Sequence, residues 1–158
     1  MKTRSDDTFR VVQIDHVEMF VPDRHEAADW YGRVLGLEIV RGFEHWAEDR
    51  EGPLMISSDN ASTKLALFEG EAQGSRQTSG FHLVAFRVDA AGFARFLERL
   101  ADLNLVDHRG RAVTPRLAVD HDRAFSIYFC DPYGHRLEVT TYDHDETRRA
   151  LESTTGLE

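Results

Sequence analysis

The sequence DHVEMFVPDRHEAADWYGRVLGLEIV at residues 15–40 is matched, 66 positions later, by FHLVAFRVDAAGFARFLERLADLNLV at residues 81–106. Seven of the 25 aligned pairs between residues 16 and 40 are identical, whereas ordinary composition gives about one or two. They are His16/His82, Phe20/Phe86, Asp23/Asp89, Ala28/Ala94, Arg33/Arg99, Leu37/Leu103 and Val40/Val106. This similarity indicates a duplicated structural unit.

Both copies follow the same local pattern. A short apolar strand ends in Asp23 or Asp89, a residue type that caps helix N-termini. Apolar residues then recur at helical spacing and predict helices over 24–35 and 90–102. The apolar stripes consist of Ala27, Trp30, Tyr31 and Val34 in the first copy and Phe93, Phe96, Leu97 and Leu100 in the second.

The later parts of the two copies align at an offset of 72. LMISSDNASTKLAL at residues 54–67 matches SIYFCDPYGHRLEV at residues 126–139, and both contain turn residues that predict β-hairpins. Each unit is therefore expected to be βαβββ, over residues 10–70 and 80–143, with a linker at 69–80 and a tail at 144–158. The fold class that follows is α+β, within one domain spanning residues 1–158.

Composition narrows the function classes. The 158 residues carry a net charge of −9 without a basic block, which argues against nucleic-acid binding. No apolar run is long enough to span a membrane, and the first residues resemble no secretion signal. A single cysteine, Cys130, forms no internal disulfide, so we expect a cytoplasmic protein that acts on a small molecule.

Strand alternation predicts a cluster of metal ligands. His16 and Glu18 should share one face of the first strand, and His82 and Val84 the corresponding face of the fifth. Glu138 in the last strand should point away from the helices as well. Two imidazoles and one carboxylate suit Fe(II), Mn(II), Ni(II) or Zn(II) and leave positions open for substrate. The alternative is that both histidines are only hydrogen-bonded core groups.

Together the paired units, the histidine that begins each, and YFCDPYGHRLEV resemble the vicinal-oxygen-chelate superfamily of glyoxalases, bleomycin resistance proteins and extradiol dioxygenases. The resemblance implies one curved mixed-sheet cup with helices on its outer face, closed within one chain or across a homodimer. It also implies a divalent metal on His16, His82 and Glu138.

Within the superfamily, the resemblance favours extradiol dioxygenases. Glyoxalase I-like lyases carry a fourth ligand at the position of Ala66, which cannot bind metal. In the dioxygenase signature His121 and Tyr128 would orient a catechol-like substrate. The dioxygenases usually place an acid–base histidine on the fourth strand. This chain lacks one there, which leaves Glu18 as the nearest proton carrier, unless Glu18 is only a charge at the rim.

Two other relatives remain as alternatives. Fosfomycin-type thiol transferases carry threonine where this chain has Glu18, and an anionic phosphonate would be repelled by that carboxylate. Metal-free bleomycin-binding proteins lack the full ligand set. Outside the site, His144 is expected at the surface.

Overall fold

The computed structural model describes residues 13–71 and 82–155, so residues 10–12 and most of the expected linker lie outside the described residues. The first unit contains β1 (His16–Val21), α1 (Arg24–Leu35), β2 (Glu38–Ile39), β3 (Leu54–Ser57) and β4 (Lys64–Glu69), with a 3-10 helix at Glu44–Glu48. The second contains β5 (Val84–Arg87), α2 (Ala90–Leu103), β6 (Val119–Asp120), β7 (Phe125–Cys130), β8 (Arg136–Thr141) and α3 (His144–Thr155), with a 3-10 helix at Pro115–Leu117.

The two units share one sheet topology. The strand orders are β1-β4-β3-β2 and β5-β8-β7-β6. In each sheet the first strand runs parallel to the last, while the hairpins are antiparallel. The described residues fall into two compact units, 13–71 and 82–155. The predicted α+β fold of two βαβββ units is confirmed.

Both predicted N-caps are present. Asp23 accepts hydrogen bonds from the backbone N–H groups of His25 and Glu26, each at 2.9 Å. Asp89 accepts one from Gly92 at 2.6 Å. These carboxylates satisfy N–H groups that have no partner within the helix, so they fix where each helix begins.

Each helix covers the apolar face of its own sheet. In the first unit Tyr31 and Val34 are buried with Met19 and Leu67, and the Tyr31 hydroxyl lies 3.9 Å from Met19 Sδ. In the second unit the buried set is more aromatic. It includes Phe93, Phe96, Leu97, Leu100, Ile127, Phe129, Leu137 and Val139.

The parallel strand pairs differ by one residue of register. Glu18 pairs with Ala66 in the first unit, so the repeat predicts that Val84 should pair with Glu138. Instead Val84 pairs with Leu137, and Ala85 pairs with Glu138. A one-residue shift moves each side chain to the other face of the sheet. The prediction that Val84 shares the Glu138 face is therefore wrong.

The apolar pattern of β5 explains this shift. Val84 and Phe86 are the bulky apolar residues, and the observed register turns them toward the Leu137 and Val139 side. Arg87 then points outward, where its guanidinium lies 5.3 Å from the centroid of the Tyr142 ring. The register of the first unit would instead turn Arg87 toward the apolar side.

The third helix is attached to the second unit through His144, which is only 11% exposed rather than at the surface. Its ring stacks on Phe125 at 4.9 Å between centroids, and its Nε2 lies 2.6 Å from Asp120 Oδ1. Among residues 13–71 and 82–155, no helix has the length and apolar character needed to cross a bilayer.

Candidate functional site

His16 begins β1 on the face away from α1, as alternation predicts. Its Nδ1 lies 2.7 Å from Asp15 Oδ2, and its Nε2 lies 3.6 Å from Glu18 Oε1. Asp15 also accepts a hydrogen bond from Lys64 Nζ at 2.9 Å, and contacts with His16 and Lys64 hold the pKa of Asp15 below its usual value. One ring nitrogen of His16 is thus held from behind while the other faces outward.

Glu138 lies in the middle of β8 and is half-buried. Its Oε1 accepts a hydrogen bond from Ser126 Oγ at 2.6 Å, and Ser126 Oγ is also 3.0 Å from Thr140 Oγ1. Glu138 Oε2 accepts no hydrogen bond from the described residues. The hydrogen bond to Oε1 therefore fixes the orientation of the carboxylate, and Oε2 is available to bind a ligand.

Tyr128 lies directly opposite Glu138 in the β7–β8 ladder. Its hydroxyl is 2.9 Å from His121 Nε2, and the two rings meet edge to face. Burial raises the pKa of the Tyr128 hydroxyl, and the nearby negative charge of Glu138 raises it further. At neutral pH the phenol is therefore protonated and can act as a hydrogen-bond donor.

His82 lies just before β5 and is exposed. Its Nε2 is 3.0 Å from Arg136 Nη1, so the guanidinium donates to that nitrogen. Arg136 and Glu138 are two positions apart in β8, so both side chains project from the same face of that strand. His82 Nε2 therefore contacts the side chain of a residue on the Glu138 face, and this contact uses its lone pair.

The second unit brings together His121, Tyr128 and Glu138, while His16 belongs to the first unit. Within the ranges 13–71 and 82–155, no three His, Cys, Asp or Glu side chains form a group that could hold a metal. The set His16, His82 and Glu138 therefore stays a prediction. The two imidazoles and the carboxylate of this set are donor groups that divalent ions accept. His16 also has a carboxylate, Asp15, behind its Nδ1, and this is the usual outer partner of a metal-bound histidine.

Ala66 occupies the position in β4 that corresponds to Glu138. It pairs with Glu18 on one side and Met55 on the other, and it carries no donor group. Beside it, the outer face of the first sheet opens into a cleft of about 1070 Å³. The rings of Phe20 and Phe68 lie 6.0 Å apart in this cleft. The remaining lining residues are Glu18, Pro22, Arg50, Glu51, Glu69, Gly70 and Glu71.

Sequence reasoning missed three residues at these places: Asp15, Lys64 and Arg136. Two signals were available in the sequence. Lys64 directly precedes the apolar run LALF, and Asp15 directly precedes His16. A buried lysine needs a carboxylate partner, and the adjacent strand offers one.

Comparison with known proteins is consistent with this fold. The structure of Oxidase ChaP-H2 is 25% identical, covers 84% of this chain and 94% of its own, and superposes with a TM-score of 0.58. FosX, a fosfomycin resistance protein from Listeria monocytogenes, is 16% identical over 87% of this chain and 99% of its own, with a TM-score of 0.58. A glyoxalase/dioxygenase from Nostoc punctiforme is 16% identical with the same coverages and a TM-score of 0.63.

No curated protein matches the chain significantly. The family model described as "Glyoxalase/Bleomycin resistance protein/Dioxygenase superfamily" matches residues 13–139, which span both βαβββ units. The chain belongs to the glyoxalase/bleomycin resistance protein/dioxygenase superfamily.

Proposed function

We propose that this protein is a metal-dependent, oxygen-consuming enzyme that acts on a catechol-like substrate with two adjacent oxygens. His16, His82 and Glu138 would hold the metal, with Fe(II) as the expected ion. Members of the superfamily are mostly metal-dependent enzymes, and the likeness to a protein named an oxidase supports an oxygen-dependent reaction.

The observation that carries the proposal is the contact between Tyr128 and His121 beside Glu138. A protonated phenol next to a carboxylate ligand is well placed to donate a hydrogen bond to a substrate oxygen. His121 Nε2, 2.9 Å from that phenol, can take up or return the proton. The bound metal would polarise the substrate oxygens and leave a position for O₂, since three protein ligands occupy one face of the ion.

The cleft of the first unit supports a ring-shaped substrate. Phe20 and Phe68 provide an aromatic wall, and such walls favour stacked or edge-on contacts with another ring. Four carboxylates and one arginine line the rest of the cleft, so an anionic ligand such as a phosphonate is disfavoured. This charge argues against a fosfomycin-type transferase and in favour of a neutral or cationic catechol.

Oxygen uptake by the Fe(II)-loaded chain tests this function. We expect O₂ consumption and a yellow ring-opened product with at least one catechol, and bound metal in elemental analysis. Tyr128→Phe should lower kcat by about 10²-fold with little change in KM, because the phenol acts on the reacting oxygens. Tyr142→Phe is the matched control, since Tyr142 is 60% exposed and its ring lies against the Arg87 guanidinium.

Three outcomes would contradict the proposal. Thiol consumption with an epoxide and no oxygen uptake would indicate a transferase. Isomerisation of a thiol adduct of a dicarbonyl would indicate a glyoxalase I-like lyase. Tight ligand binding without turnover or metal would indicate a bleomycin-type binding protein.

The proposal includes a homodimer, the assembly typical of this superfamily. Light scattering coupled to size-exclusion chromatography should give twice the chain mass of 18.1 kDa. A mass of one chain would contradict the dimer without affecting the catalytic proposal.

A further inference from the structure

Lys64 is the first residue of β4, and its side chain is only 8% exposed. A lysine ammonium is rarely buried unless it is paired, because removing it from water is costly. Here Nζ donates to Asp15 Oδ1 and to the carbonyl oxygen of Ala61, each at 2.9 Å. The ammonium is therefore fixed in place by two hydrogen bonds.

Asp15 connects this ammonium to His16. One carboxylate oxygen accepts from Lys64, and the other lies 2.7 Å from His16 Nδ1. The backbone supports the same arrangement, because Lys64 N–H donates to the Asp15 carbonyl at 3.0 Å and Lys64 pairs with His16 across the ladder. Asp15 itself is 68% exposed, so without Lys64 its carboxylate would be free to turn toward water.

The chemistry of this contact determines the tautomer of His16. An ionised carboxylate can only accept hydrogen bonds, so the proton of a neutral imidazole must be on Nδ1. The lone pair then lies on Nε2, whose nearest carboxylate oxygen, Glu18 Oε1, is 3.6 Å away and so too far to accept a hydrogen bond from it.

The second unit has a different arrangement at the equivalent positions. The residue equivalent to Lys64 is Arg136, and the residue before His82 is Phe81 rather than an acid. Arg136 instead donates directly to His82 Nε2. The first unit therefore places a cation behind its histidine, separated by a carboxylate, whereas the second places a cation on the histidine nitrogen itself.

We infer that Lys64 and Asp15 form a positioning pair that locks His16 in its Nδ1–H tautomer and presents Nε2 as a ready-made metal ligand. This inference rests on the proposed function only in naming a metal as the partner of Nε2. Outer partners of this kind typically contribute 10- to 100-fold to metal affinity.

The test begins with ¹⁵N NMR of the histidine rings in the metal-free full chain near pH 8, where an ordinary imidazole is neutral. Wild-type His16, assigned through the loss of its signals in His16→Gln, should be protonated at Nδ1. Asp15→Ala and Asp15→Asn should both shift it toward a mixture of tautomers. Lys64→Met should give an intermediate shift, and Lys64→Arg should restore the wild-type state.

His144 is an internal reference in the same spectra. Its Nε2 lies 2.6 Å from Asp120 Oδ1, within hydrogen-bond distance, whereas its Nδ1 is 3.7 Å from Asp145 Oδ1, so its neutral ring carries the opposite tautomer. The signals of His144 should be unchanged in all Asp15 and Lys64 variants. Because Asp15 is exposed, its variants remain informative even if Lys64→Met fails to fold.

Competition titration with Zn(II) and a chelating dye gives the second measurement. Asp15→Ala should weaken Zn(II) binding by about 10- to 100-fold. An unchanged His16 tautomer in both Asp15 variants would overturn the inference. A changed tautomer with unchanged Zn(II) affinity would support the positioning pair but count against His16 as a ligand, and so against the proposed function.

Discussion

The two βαβββ units share topology and helix caps but present their leading histidines differently. His16 lies within β1 and is supported from behind by Asp15, whereas His82 lies before β5 and contacts Arg136. The register differs as well, with Glu18 opposite Ala66 in one unit and Ala85 opposite Glu138 in the other. Duplication therefore preserved the positions of these residues along the chain, while the apolar pattern of each strand decided which face they share.

The largest expected effect tests the register of β5. Val84→Gln should lower the free energy of unfolding by about 1–3 kcal/mol, because it places an amide on the apolar side beside Leu137. Ala85→Gln, on the exposed face, should change it by no more than about 0.5 kcal/mol. Urea denaturation of both variants gives the comparison. If Ala85→Gln were the more damaging change, the second unit would share the register of the first.

A smaller effect is expected at the second histidine. Arg136→Gln removes a cation from His82 Nε2 and should tighten Zn(II) binding by up to about 10-fold, because the metal no longer competes with the guanidinium. The equivalent change in the first unit, Lys64→Gln, should weaken binding instead. Chelator competition measures both affinities. Effects of the same sign would show that the two cations play equivalent roles.

The units also differ in the contacts that stabilise their long loops, which lie between β2 and β3 in the first unit and between α2 and β6 in the second. The stability of the loop in the second unit should depend on pH. In the first unit buried Arg24 donates to the carbonyls of Ala47, Asp49 and Gly52. In the second unit Asp107 accepts from the backbone N–H groups of Arg109 and Arg111.

Hydrogen bonding by the Arg111 N–H, followed by the Arg111 side chain and the Arg109 N–H, lowers the pKa of Asp107 to about 2 although burial opposes it. Since the folded pKa is lowered, the stabilisation is complete above the usual pKa near 3.8 and is lost as the pH falls toward 2. The protection of the Arg109 and Arg111 amides against hydrogen exchange, measured relative to the intrinsic rate at each pH, should therefore fall over that range. Asp107→Asn should abolish this pH dependence, and an unchanged dependence in that variant would assign it to another carboxyl group.

The sequence was sufficient for the fold because its signals are local. Helical spacing, the caps at Asp23 and Asp89, and the two hairpins all depend on neighbouring residues. Alternation also predicted that His16 and Glu18 share a face, in agreement with the 3.6 Å between His16 Nε2 and Glu18 Oε1.

The remaining features depend on contacts between residues distant in the chain. The Val84 prediction failed because the repeat was extended through a strand whose apolar pattern had shifted by one residue. The surface assignment of His144 failed because its partners, Phe125 and Asp120, lie 19 and 24 positions earlier in the chain and meet it only in the folded unit. The pairing of Lys64 with Asp15 likewise arises from the parallel contact between β1 and β4.

Cys130, at the end of β7, has a practical consequence. The thiol is half-buried, and burial raises its pKa, so it reacts slowly with alkylating reagents while the hairpin is closed. It is the only cysteine in the sequence. The rate at which Cys130 is alkylated can therefore report the opening of the β7–β8 hairpin, the segment that carries Tyr128 and Glu138. No foreign probe has to be introduced.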